Sequence, residues 1–231
     1  MAIRLVDLSQ EIYQGMPVYP GHLKTAVWEY HSHEETRRSL QTGFSYATRG
    51  LLLSDHGPTH VDAINHVDPA PGAQSIDQLP LEFFYTSAVC IDVSHVSSHE
   101  YLTVEVLSLA CQRNDLEIRK GDTVLLYTAH WDRNYGTDKW LTEYTGLDRA
   151  ATEWLAQRGV VNIGIDAPSI DNPMDRSYPA HTVCREQGIL NTENLANLKM
   201  VRAKRFRYAG FPLRIRGGTG SPVRAVAILE D

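Results

Sequence analysis

Three short apolar runs constrain the fold of this chain most: "SAVCIDVS", "DTVLLYTA" and "GVVNIGIDAPS". Each is bounded by polar residues, the mark of a buried strand. Between the last two, "LDRAATEWLAQRG" sets Leu147, Ala151, Trp154 and Leu155 at helical spacing and stops at Gly159. "TVEVLSLACQRN" reads as a second helix, because Val104, Leu107 and Ala110 share a face. Further strand signals lie in "AIRLVDLS", in "HLKTAVWEYHSHEE", read as a strand running into a polar loop, and in "FSYATRGLLLSDH". "PLRIRGG" and "PVRAVAIL" read as a closing hairpin. The expectation is an α/β fold: a mixed β-sheet with few helices, in a single domain spanning residues 1–231 and without internal repeat.

Charge and cysteine usage narrow the function classes. The chain has 22 Lys and Arg against 28 Asp and Glu, a formal net charge of -6, which argues against a nucleic-acid partner. The basic cluster "RAKRFRY" is too short to reverse that. Cys90, Cys111 and Cys184 are odd in number and scattered, which suits reduced thiols in a cytoplasmic protein. The opening residues turn polar before a signal-peptide core forms, and no apolar run approaches the roughly 20 residues of a membrane span, so a soluble protein is expected. "RIRGGTGSP" lacks the lysine of a phosphate-binding loop and precedes a strand, so a tight turn or a substrate-facing backbone nest is the reading there. No Gly-Xaa-Ser-Xaa-Gly elbow occurs.

Chemistry concentrates in "SDHGPTHVDAINH", which carries His56, His60, Asp62 and His66. In an extended chain His56 and His60 would stand about 13 Å apart, too far to share one ion. Gly57 and Pro58 argue against a regular helix but permit a bend. Two imidazoles and one carboxylate make a set that zinc and manganese both accept. The alternative is a tight loop in which the histidines only bond backbone groups. His66 is open to three roles, as ligand, general base or surface histidine, since an imidazole can take a proton from water at neutral pH.

The segment resembles the signature of the cyclase-like, metal-dependent hydrolase family that includes bacterial kynurenine formamidases and isatin hydrolases. That signature reads His, any residue, Gly, Thr, His, any residue, Asp, any residue, Pro, any residue, His, and His56, Thr59, His60, Asp62 and His66 match it. Further similarity extends through "LVDLSQEIYQGMPVYPG", "GIDAPSID", "HTVCREQGILNTENLANL" and "FPLRIRGGTGSPVRAVAI". The resemblance implies a swivelling β/β/α arrangement and assembly as a homodimer or higher homo-oligomer. It implies a first divalent metal, Zn or Mn, on His56, His60 and Asp62, and in two-metal members a second on Asp62, His181 and Glu193, hence one or two ions per chain. His66 would act near the attacking water, and Glu193 would serve as ligand and as proton relay to the leaving group. Glu193 also begins "ENLANL", where a loop-to-helix boundary is expected.

Pro58 replaces the signature glycine and Ile64 the signature proline, with Asn65 beside the histidine. These departures leave the implied ligands intact and bear on the substrate. The implied reaction is attack of metal-activated water on a small carbonyl substrate, first an arylformamide such as N-formylkynurenine, otherwise a cyclic amide such as isatin or a lactone such as a dienelactone. A non-catalytic, metal-stabilised structural protein is the competing class. "HWDRNYGTDKW" offers His130, Trp131, Arg133, Tyr135 and Trp140 as a wall for a flat, anionic ligand.

Overall fold

The three apolar runs lie side by side as parallel strands at the centre of one sheet. The computed structural model describes residues 3–230. Its elements are β1 (Ile3–Asp7), β2 (Ala26–His31), α1 (His33–Leu40), β3 (Thr48–Leu52), β4 (His60–Asp62), β5 (Tyr85–Asp92), β6 (Tyr101–Leu102), α2 (Val104–Arg113), β7 (Thr123–Tyr127), α3 (His130–Asn134), β8 (Gly146–Leu147), α4 (Arg149–Gln157), β9 (Asn162–Ile165), α5 (Pro179–Gln187), β10 (Leu190–Glu193), β11 (Lys204–Ala209), β12 (Gly220–Pro222) and β13 (Val226–Glu230). The main sheet has nine strands in the order β1-β13-β11-β5-β7-β9-β10-β4-β12. Strands β5, β7, β9 and β10 run parallel, while the strands on either side of them are antiparallel. The fold is therefore α/β with a mixed sheet, as expected.

Period-two alternation gives the sheet two cores. Along β5 and β7, Ala88, Cys90, Leu125 and Tyr127 face one side, and Val89, Ile91, Val124 and Leu126 the other. Helices α2, α4 and α5 cover the second side with Leu107, Ala151, Leu155, Ala180 and Cys184. On the first side Val6 of β1 and Leu229 of β13 share a core with Val61 of β4, from near the opposite end of the strand order, so the sheet curls around its own interior. Each fully buried Leu or Ile contributes roughly 1.5–3 kcal/mol there.

Several local expectations change. "HSHEE" does not continue as a loop, because Ser32 and Glu35 form a reciprocal capping box that starts α1. "RAKRFRY" is not a surface basic patch alone. It supplies β11, between β13 and β5, with Phe206 and Tyr208 buried and Arg205 turned out to hold Asp122 at 2.9 Å. "PLRIRGG" forms no hairpin strand: Leu213 N is taken by Ser221 Oγ and Gly217 N by Asp77, and Pro212 touches the later chain only through an isolated bridge to Val223. The turn instead feeds β12, which pairs with β4. Of "AIRLVDLS", Ala2 lies outside the described residues. "FSYATRGLLLSDH" does supply β3, but among the described residues its only partner is β2, in a two-stranded arm that leaves Trp28, Tyr30, Leu51 and Leu52 exposed. No helix among the described residues is long and apolar enough to cross a membrane.

Candidate metal centre

Strand register brings the polar residues together. His60 and Asp62 occupy alternate positions of β4, and β10 sets Glu193 opposite His60 and Asn191 opposite Asp62. Val61, between them, points into the curled core. One face of this corner thus presents His60, Asp62, Asn191 and Glu193, all buried. The chain bends at Gly57 and Pro58, so that the His56 and His60 rings lie 5.3 Å apart between centroids, well inside the extended-chain separation. The bend is pinned by Thr59, whose hydroxyl donates to Asn194 O at 2.6 Å and accepts from Gln10 N at 2.8 Å. A 3-10 turn over Ile64–His66 returns His66 over His56, ring centroids 3.9 Å apart.

The fourth wall is α5. Pro179 occupies its first turn, and Asp171 accepts hydrogen bonds from Ala180 N at 2.6 Å and His181 N at 3.3 Å. The same carboxylate takes the Nδ1 proton of His181, which leaves Nε2 facing the centre. That nitrogen lies 3.6 Å from Asp62 Oδ2 and 3.5 Å from Glu193 Oε1. All six residues singled out from the sequence, His56, His60, Asp62, His66, His181 and Glu193, are therefore in one cluster. Glu193 ends a strand instead of opening a helix, because β10 is held by β9 on one side and β4 on the other.

The hydrogen-bond directions determine which atoms are free. His60 Nδ1 donates to Pro58 O at 2.9 Å, so its Nε2 carries a lone pair, 3.4 Å from Asp62 Oδ1 and 3.7 Å from Glu193 Oε2. Thr219 gives its hydroxyl proton to Asp55 at 2.8 Å and accepts from His56 Nε2 at 2.8 Å. In the tautomer that keeps its single proton on Nε2, His56 points the lone pair of Nδ1 at Asp62 Oδ1, only 2.6 Å away. Lone pairs and carboxylates converging in a buried space repel one another unless a cation joins them. The donor set thus fits a divalent ion: His56, Asp62 and His66, and His60, Asp62 and Glu193, each bring three ligand atoms within 4.8 Å of one another.

Titration behaviour agrees with this excess of acceptors. Burial opposes charge on His60 and His181, yet the bonds and charges of Asp62, Glu193 and, for His181, Asp171 outweigh it and raise both pKa values. Burial would raise Asp62, but the imidazoles of His181, His56 and His60 around it hold it well below the carboxylate range. Glu193 is raised, first by burial and also by the Asp62 charge. His66 is pushed down to about 4, by burial and then by the neighbouring imidazoles against the pull of Asp62, so its ring is neutral at physiological pH.

A cavity of about 420 Å3 opens over these residues. Tyr19, His22, Val67, Pro168, Tyr178 and Arg185 form its upper walls. None of the "HWDRNYGTDKW" side chains reaches it. His130 and Trp140 are buried against each other and joined by a 2.8 Å bond from His130 Nε2 to Trp140 O, while Arg133 donates to Ser94 O. Those aromatic rings satisfy one another in a separate cluster and anchor a loop. The sequence motifs do not single out Tyr19, on the "GMPVYPG" loop, His22, which directly follows it, Asn191 or Arg185. Asp171 was present only as the last residue of "GIDAPSID".

Comparison with known proteins agrees with this arrangement. The chain is 31% identical over 223 residues to the kynurenine formamidase of Salinibacter ruber, covering 96% of each chain. It superposes on isatin hydrolase A from Labrenzia aggregata bound to benzyl benzoate with a TM-score of 0.87 at 24% identity, covering 99% of this chain and 94% of that one. For isatin hydrolase A from Ralstonia solanacearum the TM-score is 0.86 at 26% identity, covering 99% and 92%. The model of the Cyclase family, described as "Putative cyclase", matches residues 6–172, most of the chain and the whole histidine segment, and the protein belongs to that family.

Proposed function

We propose that this protein is a metal-dependent hydrolase of a small amide, acting first on an arylformamide such as N-formylkynurenine. The observation that carries the reading is the convergence of His56 Nδ1 and His60 Nε2 on Asp62, beneath a cavity whose wall holds a neutral His66. His56, His60 and Asp62 would hold one divalent ion, and Asp62, His181 and Glu193 a second, with zinc and manganese both suited to these nitrogen and oxygen donors. The chemistry such an ion supplies is Lewis-acid polarisation of a carbonyl and acidification of water.

The chain's own residues do the rest. His66, through the Nε2 atom that faces Asp62 at 4.0 Å, accepts the proton that water loses as it adds to the formyl carbon. The C–N bond then breaks, formate forms, and the aryl nitrogen leaves as an amine, taking the proton that His66 received, by way of Glu193. Asp171 keeps His181 in one tautomer throughout, and Tyr19, Tyr178 and Pro168 exclude water from the ring-binding side.

The kynurenine formamidase relative supports the formamide, and the isatin hydrolase neighbours support a cyclic amide as the second reading. We place the protein in the cytoplasm as one domain: all three cysteines are buried and unpaired, and β1 and β13 tie the two ends of the described chain into one sheet. We further propose a homodimer or higher homo-oligomer built on the exposed β2–β3 arm, since an isolated two-stranded sheet is only marginally stable in water. Metal-loaded protein should be assayed side by side on N-formylkynurenine, isatin and a dienelactone. The highest kcat/KM is expected for N-formylkynurenine. Preference for a ring-opening substrate moves the assignment to the cyclic amide or lactone reading, and no turnover of any of them returns the protein to the non-catalytic class.

A further inference from the structure

The cavity is asymmetric in charge above its floor. Among its lining residues Arg185 is the single arginine or lysine, and the upper wall otherwise consists of His22 and of aromatic, apolar and uncharged polar side chains. Arg185 lies one helical turn beyond His181 on α5, about 6 Å further along the axis, so it faces the same opening at a distance from the ligand atoms. It is exposed, and among the described residues no carboxylate lies within ion-pair distance of it. The acid beside it in sequence, Glu186, is held by Arg149 at 2.6 Å. The two carboxylates beneath the cavity, Asp62 and Glu193, are already engaged with the imidazoles and with Ile170 N.

From this placement we propose that Arg185 is a specificity residue that selects amide substrates carrying a carboxylate remote from the scissile bond. The proposal rests on the hydrolase reading and deepens it. A substrate whose carbonyl sits over Asp62 and whose ring lies between Tyr19 and Tyr178 extends its tail toward the mouth of the cavity. There a guanidinium offers paired N–H donors matched to a carboxylate. An amino-acid tail on an aryl amide meets that demand, and a neutral aryl amide does not.

The test compares two substrates with the same scissile bond, N-formylkynurenine and neutral formanilide, on metal-loaded wild type, Arg185→Gln and Arg185→Lys. The ratio of their kcat/KM values should fall about tenfold in Arg185→Gln, through KM for the acid, and recover in part in Arg185→Lys. Added salt should lower the ratio in the wild type and leave it flat in Arg185→Gln. An unchanged ratio, or a wild-type ratio insensitive to salt, overturns the proposal. If neither amide is cleaved by the wild type, the hydrolase reading fails, and calorimetric titration with kynurenine, which keeps the carboxylate on its tail, and with aniline then decides the role of Arg185. Binding of the carboxylate weakened selectively in Arg185→Gln supports it, and equal binding to wild type and variant overturns it.

Discussion

Asn191 stands directly across the sheet from Asp62, and its amide donates to Asp62 Oδ2 at 2.5 Å while also approaching His181 Nε2 at 3.3 Å. One neutral side chain thus quiets two acceptors that a cation would otherwise join. Asn191→Ala leaves a buried carboxylate oxygen without its donor and should cost about 1–3 kcal/mol in metal-free protein. Thermal unfolding measured with and without added Zn2+ or Mn2+ checks this: the loss should shrink when metal is supplied. An equal loss in both conditions would mean that the amide acts on the fold alone.

His181→Ala removes one of the ligands proposed for a second ion and leaves His56, His60 and Asp62 untouched. Elemental analysis of protein saturated with metal should fall from two ions per chain to one, whereas Asp62→Asn should lose both. A single ion in the wild type, unaffected by His181→Ala, would recast His181 as a substrate contact.

His66 is expected to stay neutral in metal-free protein until the pH approaches about 4, because burial and the neighbouring imidazoles oppose its charge. Imidazole NMR shifts followed through an acid titration report this directly. His66→Ala should retain bound metal and lose at least about 100-fold in kcat. Loss of the metal along with the activity would assign His66 to ligation instead.

Asp166, fully buried, accepts both the Thr128 amide and hydroxyl on Oδ1, while Oδ2 has no partner among the described residues. Burial, with a smaller push from Asp132, raises its pKa from the ordinary 3.8 to about 7. A carboxyl with a raised native pKa binds its proton more tightly when folded, so its contribution is complete below the unfolded value and is lost as pH rises through about 7. Asp166→Asn keeps the acceptor for Thr128 and should flatten the decline in stability between about pH 4 and 7, a decline of up to about 4 kcal/mol. Denaturant midpoints across that range measure it, and identical slopes for the two proteins would contradict it.

Trp28 and Leu51 lie exposed on the β2–β3 arm. If the arm joins two copies, Leu51→Lys should shift light-scattering mass toward the monomer without loss of secondary structure. A monomeric wild type would remove the arm from any interface.

Local pattern alone determined the central strands and their helices. Val89, Val124 and Ile163 sit in short apolar runs with polar flanks, whose length suits a buried strand, and Leu107, Ala151 and Leu155 recur at helical spacing, so run length and periodicity together were enough. The histidine segment offered its candidate ligands through residue type and order, and its resemblance to a family signature singled out His181 and Glu193 as further candidates. Tertiary structure decided what that pattern could not. His56 and His60 share a site because the chain bends at Gly57 and Pro58, and Glu193 meets His60 because β10 pairs with β4, a contact between residues 133 positions apart in the chain. The same applies to the cavity wall: the aromatic "HWDRNYGTDKW" loop closes on itself, and Tyr19, Tyr178 and Arg185 line the cavity instead. Composition names the residues that can line a pocket, but strand register and helix packing choose among them, since side-chain direction is fixed by contacts far away in sequence.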